Sequence, residues 1–399
     1  MDLAGRETVG EILPLQASRA DLAGKPALLF GDQVLTYADL QAASAAAADH
    51  LRARGITAGD VVGLILPNAP ALVAHLFGIL SIGATVLPLN PNLTLRELSL
   101  LVEDSRARAI ITTGDVAARL ESLHPQTPSL KEVIALDPRQ PLERAAARPG
   151  SRIGGSADQT AFLIYTAGTT GRPKGVLLTH RNVLANTVQV AERSGLTPAD
   201  RVLHVMPLFH ANGLMNNTIL PLRVGASIVL RPRFDLGEFW GLVTSFRPTY
   251  FTAVPTVFAR LMDAWDGRAD TSSLRFVRSG AAPMAAALQR QVEERLGVPV
   301  VLSYGLTEAT CTCTMNPAGP ERRLGSVGPA LPRETVGVLD EGARLRGPGE
   351  VGEVVVQGPS VMAGYLNAPE ATAQALRGGW LHTGDLGYLD PDGFLFLTD

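Results

Sequence analysis

Apolar runs of strand length alternate with helical segments along most of the chain, and this alternation restricts the fold more than any other feature. The first such unit reads as a strand at 61–66, a buried helix at 71–82 and a second strand at 85–89. Thr94 and Glu97 form a capping box, which predicts that the next helix begins there. Strands that alternate with helices need crossover connections, and we therefore expect a largely parallel sheet.

The same region has no charged side chain from 61 to 95, a length that also suits a membrane span. Pro67 and Pro70 interrupt the stretch early, and Gly83 and Pro88 interrupt it late. The apolar segment left between them is shorter than the roughly 20 residues that a bilayer requires. A buried βαβ unit is the favoured interpretation, since short apolar runs bounded by Pro and Gly usually belong to a core.

Two further units follow the first. The alternation of strands and helices resumes at 161–165, whereas the chain after residue 316 consists of short runs separated by Gly and Pro, with a hairpin turn at Asp392 and Gly393. The predicted fold class is α/β, with two βαβ-type subdomains containing largely parallel sheets and a smaller β-rich, barrel-like subdomain. The predicted boundaries are 1–160 for the first α/β subdomain, 161–316 for the second α/β subdomain, and 317–399 for the β-rich subdomain.

The composition excludes several functions. Lys and Arg number 35 and Asp and Glu 38, a net charge of −3, so the chain lacks the basic excess of a nucleic-acid binder. Cys311 and Cys313 are the only cysteines, too close for an ordinary disulfide and without the further ligands of a zinc site. The N-terminus does not resemble a secretion signal. We expect a cytoplasmic protein with no membrane span and no nucleic-acid partner.

The strongest functional signal is a glycine-rich loop, YTAGTTGRPKGV, at 165–176. Its glycines let backbone amides approach a polyphosphate, its threonines offer hydroxyl groups, and Lys174 offsets negative charge. It is not a Walker A loop, because Pro173 precedes Lys174 and Gly175 follows it. The alternative is a flexible surface loop rich in Gly and Thr.

This loop closely resembles the motif Y-T-S-G-T-T-G-x-P-K-G of the adenylate-forming (ANL) superfamily, which includes acyl-CoA synthetases, aryl-CoA ligases, luciferases and adenylation domains of peptide synthetases. Ala167 stands where the family has serine, which removes one hydroxyl near the phosphates. Three other motifs extend the resemblance over nearly the whole chain. They are SGAAP at 279–283, YGLTE at 304–308 and WLHTGD at 380–385.

The resemblance implies roles for individual residues. Tyr304 would stack on adenine, Thr307 would bond the α-phosphate, Glu308 would help to hold Mg²⁺, and Asp385 would accept hydrogen bonds from both ribose hydroxyls. The implied nucleotide-binding set comprises Thr166, Gly168, Thr169, Thr170, Gly171, Lys174, Gly280, Ala281, Ala282, Pro283, Ser303, Tyr304, Gly305, Thr307 and Asp385.

A fifth motif, PLFHxxG at 207–213, is the one that the resemblance places beside the carboxylic acid substrate. In relatives its histidine lies between the acyl pocket and the thiol channel, so His210 would orient the carboxylate or gate thiol entry; a purely structural histidine is the alternative. His204 is interpreted as structural. The implied catalytic residues are Lys174, Thr307, Glu308 and His210. The implied acyl pocket, with room for a medium or long acyl or aryl group, comprises His210, Asn212, Asn216, Val254, Ser279, Gly280, Ala281 and Thr310.

The implied reaction has two steps. A carboxylate attacks the α-phosphorus of ATP to give an acyl-adenylate and pyrophosphate, and the thiol of CoA then displaces AMP. This is the reaction of an AMP-forming acid–thiol ligase. Its cofactors would be ATP, Mg²⁺ and either CoA or a carrier-protein phosphopantetheine. The resemblance also allows a homodimer. One alternative is a stand-alone adenylation enzyme that loads a carrier protein with an amino or acyl acid. The alternative of another class is a non-catalytic nucleotide-binding module.

Family members carry a further domain of about a hundred residues after a hinge, and this domain supplies a lysine to the reacting groups. By resemblance, Asp399 lies at or just before that hinge. We therefore expect this chain to be the large N-terminal domain without the C-terminal small domain. As such, it would bind ATP, adenylate weakly or not at all, and form no thioester.

Overall fold

The computed structural model describes residues 8–120, 127–145, 154–167 and 173–398. Within these ranges, the chain folds into three sheets with helices packed between and around them. The strands, numbered along the chain, are β1 (Pro26–Phe30), β2 (Gln33–Thr36), β3 (Val61–Ile65), β4 (Thr85–Pro88), β5 (Ala109–Thr113), β6 (Glu132–Leu136), β7 (Thr160–Thr166), β8 (Lys174–Thr179), β9 (Arg201–His204), β10 (Ser227–Leu230), β11 (Tyr250–Ala253), β12 (Val277–Ser279), β13 (Val300–Tyr304), β14 (Thr314–Met315), β15 (Gly328–Pro329), β16 (Thr335–Leu339), β17 (Gly352–Gln357), β18 (Gly364–Tyr365), β19 (Leu381–Leu389) and β20 (Phe394–Leu397).

The helices include one of π type, Asn212–Ile219, and three short 3₁₀ segments, Val9–Glu11, Thr307–Ala309 and Arg377–Gly379, among the described residues. The α-helices are α1 (Ile12–Ala17), α2 (Tyr37–Ala53), α3 (Pro70–Ser81), α4 (Leu95–Ser105), α5 (Gly114–Leu120), α6 (His180–Ser194), α7 (Leu220–Val224), α8 (Leu236–Phe246), α9 (Pro255–Asp263), α10 (Ala286–Leu296) and α11 (Pro369–Ala375).

The predicted fold class is confirmed. One sheet has seven strands in the order β18-β8-β7-β4-β3-β5-β6, and its pairs from β7 to β6 are parallel. A second has eight strands in the order β14-β13-β12-β11-β9-β10-β1-β2, parallel except at its two ends. The third is a five-stranded antiparallel sheet, β15-β20-β19-β17-β16.

The sheets do not follow the boundaries predicted after residues 160 and 316. Strands β1 and β2 join the sheet that otherwise lies between residues 201 and 315, and β7 and β8 join the first sheet. In addition, β18 pairs with β8. A strand pattern shows that a segment is extended but not which sheet edge satisfies its backbone groups, and distant segments can therefore complete a sheet.

The helices around the first unit form where the sequence predicts them. Helix α3 begins at Pro70, a residue favoured in a first turn, and its apolar residues are buried almost all round. Helix α4 begins after Thr94, whose hydroxyl accepts a hydrogen bond from the amide of Glu97 at 3.3 Å. Among the described residues, no helix is both long enough and apolar enough to cross a membrane.

Helix α6 connects the three sheets. It packs on β7 and β8 of the first sheet and on α7 and the π-helix, which cover the second sheet. Two of its polar side chains reach loops that flank strands of the third sheet: Asn182 donates to the carbonyl of Val361, after β17, at 2.8 Å, and Gln189 donates to Glu334, before β16, at 2.9 Å. One apolar core therefore runs through the contacts between the two large sheets.

Acid is expected to destabilise this fold through two buried histidines. Burial lowers the pKa of His180 to about 4 and that of His204 to about 3. Below the unfolded pKa of about 6.5, the unfolded chain binds protons that the folded chain does not, so stability falls as pH falls. Each histidine then contributes up to about 1.4 kcal/mol per pH unit. Urea unfolding at about pH 7 and about pH 5.5 measures this slope.

The variant His180→Gln provides the control. In the native chain the Nδ1 atom of His180 accepts a hydrogen bond from the amide of Val9 at 3.1 Å. A glutamine can accept the same hydrogen bond but does not titrate. The change in unfolding free energy per pH unit should therefore decrease by the contribution of one histidine. An equal slope in both proteins would contradict the assignment.

Candidate active site

The YGLTE motif lies at the end of β13 and folds back tightly on the following loop. Tyr304 ends the strand, and Thr307 begins a 3₁₀ turn. Between them, Gly305 approaches the backbone so closely that a Cβ atom would overlap the carbonyl oxygen of Cys311. Glycine is therefore required there by close approach, and the motif's geometry depends on it.

We expect Gly305→Ala to cost about 1–3 kcal/mol of unfolding free energy, because the added methyl group meets backbone that cannot move independently. Gly241→Ala is the matched control. Gly241 is exposed within α8 and has no atom within 4 Å of a Cβ position, so its substitution should stabilise the chain by about 0.5–1 kcal/mol. Urea unfolding measures both, and equal effects in the two variants would contradict the close-contact argument.

The structure brings Tyr304 and Asp385 together, although 81 residues separate them. The Tyr304 hydroxyl donates to Oδ2 of Asp385 at 2.5 Å. Asp385 lies in β19 after Gly384, whose φ of 79° is in the left-handed region. Its amide donates to the Thr383 hydroxyl at 3.1 Å, and that hydroxyl donates to the carbonyl of Val354 at 2.7 Å. These bonds fix the carboxylate beside the YGLTE motif.

Three predicted phosphate-side residues surround Tyr365. The Tyr365 hydroxyl donates to Oε1 of Glu308 at 3.0 Å, and the Thr166 hydroxyl donates to the same oxygen at 3.4 Å. The Lys174 ammonium lies 5.0 Å from the centre of the Tyr365 ring, a cation–π distance. Burial and the Glu308 carboxylate raise the pKa of Tyr365, so its hydroxyl stays a donor.

Sequence reasoning missed Tyr365. It is 57 residues from Glu308 and belongs to none of the five motifs. Its position follows from the pairing of β18 with β8, where Tyr365 lies opposite Val176. The one available signal was structural: β8 needs a partner strand at its outer edge, and the short strand at Tyr365 provides it.

The tip of the glycine-rich loop, with Gly168, Thr169, Thr170 and Gly171, lies outside the described residues, and their phosphate role stays a prediction. The residues on either side are in register, since Thr166 pairs with Lys174 across β7 and β8. The hairpin therefore starts and ends beside Glu308.

A cavity of about 410 Å³ joins the YGLTE motif to the PLFHxxG motif. Its lining includes most of the predicted acyl pocket and part of the predicted nucleotide site. The lining residues are Met206, Pro207, His210, Ala211, Asn212, Asn216, Val254, Gly280, Ala281, Ser303, Tyr304, Gly305, Leu306, Thr307, Cys311 and Thr312.

Some predicted residues lie beside this cavity rather than in its wall. Ser279 and Thr310 are buried and are not among its lining residues, whereas Ala282 and Pro283 are exposed and follow the lining residue Ala281. Ala281 has a φ of 65°, in the left-handed region, a conformation that costs a non-glycine residue about 1–2 kcal/mol. Cys311 and Thr312 line the cavity without having been predicted to do so.

His210 lies exposed at the rim of the cavity, with its ring 4.5 Å from that of Phe209. Partial enclosure lowers the pKa of His210, so the ring is neutral near pH 7 and can accept as well as donate. His204 is fully buried, and its Nε2 lies 3.2 Å from the Thr218 hydroxyl, as expected for a structural histidine.

The π-helix, which follows His210 in the chain, forms one wall of the cavity through Asn212 and Asn216. The side-chain Nδ2 of Asn217 donates to the carbonyl of Asn212 at 3.0 Å, and the Thr218 hydroxyl donates to the carbonyl of Gly213 at 2.9 Å. Both side-chain bonds span five residues, the spacing of a π-helix. Such segments are rare and occur often at functional sites. No local pattern in the sequence predicted this one.

Comparisons with known proteins support the family resemblance that the motifs indicate. A family model for AMP-binding enzymes matches residues 15–366. A sulfoacetate–CoA ligase of Cupriavidus necator is 36% identical over 98% of this chain and 78% of the relative. The anthranilate–CoA ligase AuaEII, solved with anthranoyl-AMP, matches with a TM-score of 0.90 and 26% identity over 100% of this chain and 78% of that chain. The N-terminal domain of FACL13 from Mycobacterium tuberculosis matches with a TM-score of 0.89 and 29% identity over 98% of this chain and 100% of that chain.

Proposed function

This chain belongs to the AMP-binding enzyme family, and on that premise we propose that its cavity carries out the ATP-dependent activation of a carboxylic acid, with the acyl group then transferred to CoA. The observation that carries the proposal is the shared cavity. Residues of the predicted nucleotide site, such as Tyr304 and Thr307, and residues of the predicted acyl pocket, such as His210 and Asn216, line the same space. Adenylate formation requires this proximity of acid and α-phosphate.

The first step brings a carboxylate towards a polyphosphate. Two like charges about 4 Å apart repel by about 4 kcal/mol at an effective dielectric of 20, so cations and donors must already be in place. Lys174 lies against the Tyr365 ring and the Thr166 hydroxyl against Glu308, so both groups are suited to this task. We propose that Lys174 holds the leaving diphosphate and that Thr307 donates to the α-phosphate.

Glu308 is suited to hold Mg²⁺. Its carboxylate is partly exposed, lies beside Lys174 and Thr166, and has one oxygen already oriented by the Tyr365 hydroxyl at 3.0 Å. Mg²⁺ is typically bound by one or two carboxylates together with substrate phosphates, and no larger cluster of carboxylates, histidines or cysteines occurs among the described residues. When bound, the ion would neutralise phosphate charge.

The acid is not decided by the family. The relatives compared above act on acids as different as sulfoacetate and anthranilate. An amino acid would need a carboxylate for its ammonium group, and the described residues lining the cavity include no Asp or Glu. The lining therefore disfavours the amino-acid adenylation alternative. A CoA acceptor is favoured over a carrier protein because the relatives compared above are named CoA ligases. A cytoplasmic location suits the free thiols of Cys311 and Cys313.

Calorimetry with ATP, AMP and a non-hydrolysable acyl-sulfamoyl adenosine tests the proposal. An enzyme should bind the acyl-adenylate analogue at least about a hundredfold more tightly than AMP, because the analogue resembles the species formed in the first step. A non-catalytic nucleotide module would bind the analogue and AMP about equally. Equal affinities would thus overturn the proposal in favour of that alternative.

A further inference from the structure

Arg278 is the largest side chain that the fold buries completely, with an exposure of 1%. Among the described residues, neither Nε nor Nη1 of its guanidinium has a hydrogen-bond partner, and no carboxylate forms an ion pair with it. Its electrostatic neighbours are the Tyr250 hydroxyl and the Cys311 thiol. Burial raises the pKa of both groups, that of Cys311 to about 11, so both are neutral at pH 7. An isolated charge at such a position is strongly unfavourable unless a ligand pairs with it.

The strand geometry shows which way this side chain points. Arg278 lies on β12, in register with Thr252 of β11 and Val301 of β13. Val277, next to it, points to the opposite face and joins the apolar cluster that includes Phe239 of α8. Val301 belongs instead to the core that contains residues of the π-helix. The guanidinium therefore lies on the face of the sheet that the π-helix covers.

The acyl half of the cavity lies at this face. Asn216 of the π-helix lines the cavity, and its Nδ2 donates to Cys311 Sγ at 3.0 Å and to the Thr312 hydroxyl at 3.1 Å. Its Oδ1 is buried without a partner among the described residues. The Cys311 thiol lines the cavity and is an electrostatic neighbour of Arg278, which is itself buried and is not among the lining residues. We call Asn216, Cys311 and Thr312 the polar end of the cavity.

We propose that the acid activated by this chain carries a second anionic group, a carboxylate or a sulfonate, remote from the reacting carboxylate, and that this group binds at the polar end with Arg278 as its counter-charge. The inference rests on the proposed function and narrows its substrate class. An apolar acyl tail would leave the guanidinium unpaired, and a cationic tail would be repelled by it. A site that holds an unpaired buried charge discriminates strongly between such acids.

Two pairs of acyl-sulfamoyl adenosines test the inference on the unaltered chain. Each pair is matched in the number of chain atoms and differs at the tail: succinyl against butanoyl, and 4-sulfobutanoyl against pentanoyl. Calorimetry should give at least about tenfold tighter binding of the anionic member of at least one pair, and the pair with the larger ratio identifies carboxylate or sulfonate. If both members of each pair bind tightly and equally, only this inference fails. If no analogue binds better than AMP, the proposed function fails.

Variants at the same position separate ligand binding from a structural role. Arg278→Met removes the charge with little change in size, and should abolish the preference for the anionic tail while leaving ATP affinity and thermal stability unchanged or higher. Arg278→Lys should keep part of the preference. Arg290→Met, at an exposed position on α10, is the matched control and should keep all of it. An unchanged preference in Arg278→Met would overturn the inference. Should that variant fail to fold, the analogue pairs and the lysine variant decide the question.

Discussion

Replacing Glu308 by glutamine is expected to abolish the effect of Mg²⁺ on ATP binding, because the carboxylate that would hold the ion has gone. In the absence of Mg²⁺, the variant should bind ATP as well as the unaltered chain or better, because a negative charge beside the phosphates has gone. With Mg²⁺, the unaltered chain should gain at least about tenfold in affinity and the variant should gain nothing. Calorimetric titration of ATP at several Mg²⁺ concentrations measures the difference.

Glu370→Gln is the control for this experiment. Glu370 is an exposed carboxylate in the first turn of α11, and its substitution should leave the Mg²⁺ dependence intact. Tyr365→Phe gives an intermediate case, since it removes one hydrogen bond from Glu308 without removing the charge. The assignment of Glu308 would be wrong if the glutamine variant still responded to Mg²⁺ like the unaltered chain.

Replacing Asp385 by alanine is expected to weaken ATP and AMP binding by about 10- to 100-fold, the usual cost of losing hydrogen bonds to a charged group. Since the family resemblance implies that Asp385 accepts hydrogen bonds from both ribose hydroxyls, the variant should also stop distinguishing ATP from its 2′,3′-dideoxy analogue. The unaltered chain should bind ATP more tightly than that analogue by a similar factor. Competition calorimetry with the two nucleotides measures both effects.

Tyr304→Phe is the control for the hydrogen bond between Tyr304 and Asp385. It removes the hydroxyl that donates to Asp385 at 2.5 Å but keeps the carboxylate and the ring. Nucleotide affinity should fall less than in the alanine variant, and the preference for ribose hydroxyls should persist. A ribose preference that survives in Asp385→Ala would show that another residue holds the sugar.

Local sequence patterns were sufficient for much of the fold. The helix predicted at 71–82 is α3, from Pro70 to Ser81, and the capping box at Thr94 does begin α4. These predictions succeed because a helix start and an apolar period depend on residues only three or four positions apart. By contrast, the sequence did not reveal that β1 joins the second sheet, where Leu28 lies opposite Ile228.

The sequence by itself determined the alternation of strands and helices, the motif residues and, through them, the family. Only the tertiary structure placed Tyr365 against Glu308, wound the chain after His210 into a π-helix, and buried Arg278 without a counter-charge among the described residues. The physical reason is that motifs record local turn chemistry and close backbone approaches, whereas these features depend on partners brought together from distant strands. Whether a buried charge is paired depends on every element packed around it, and no local pattern contains that information.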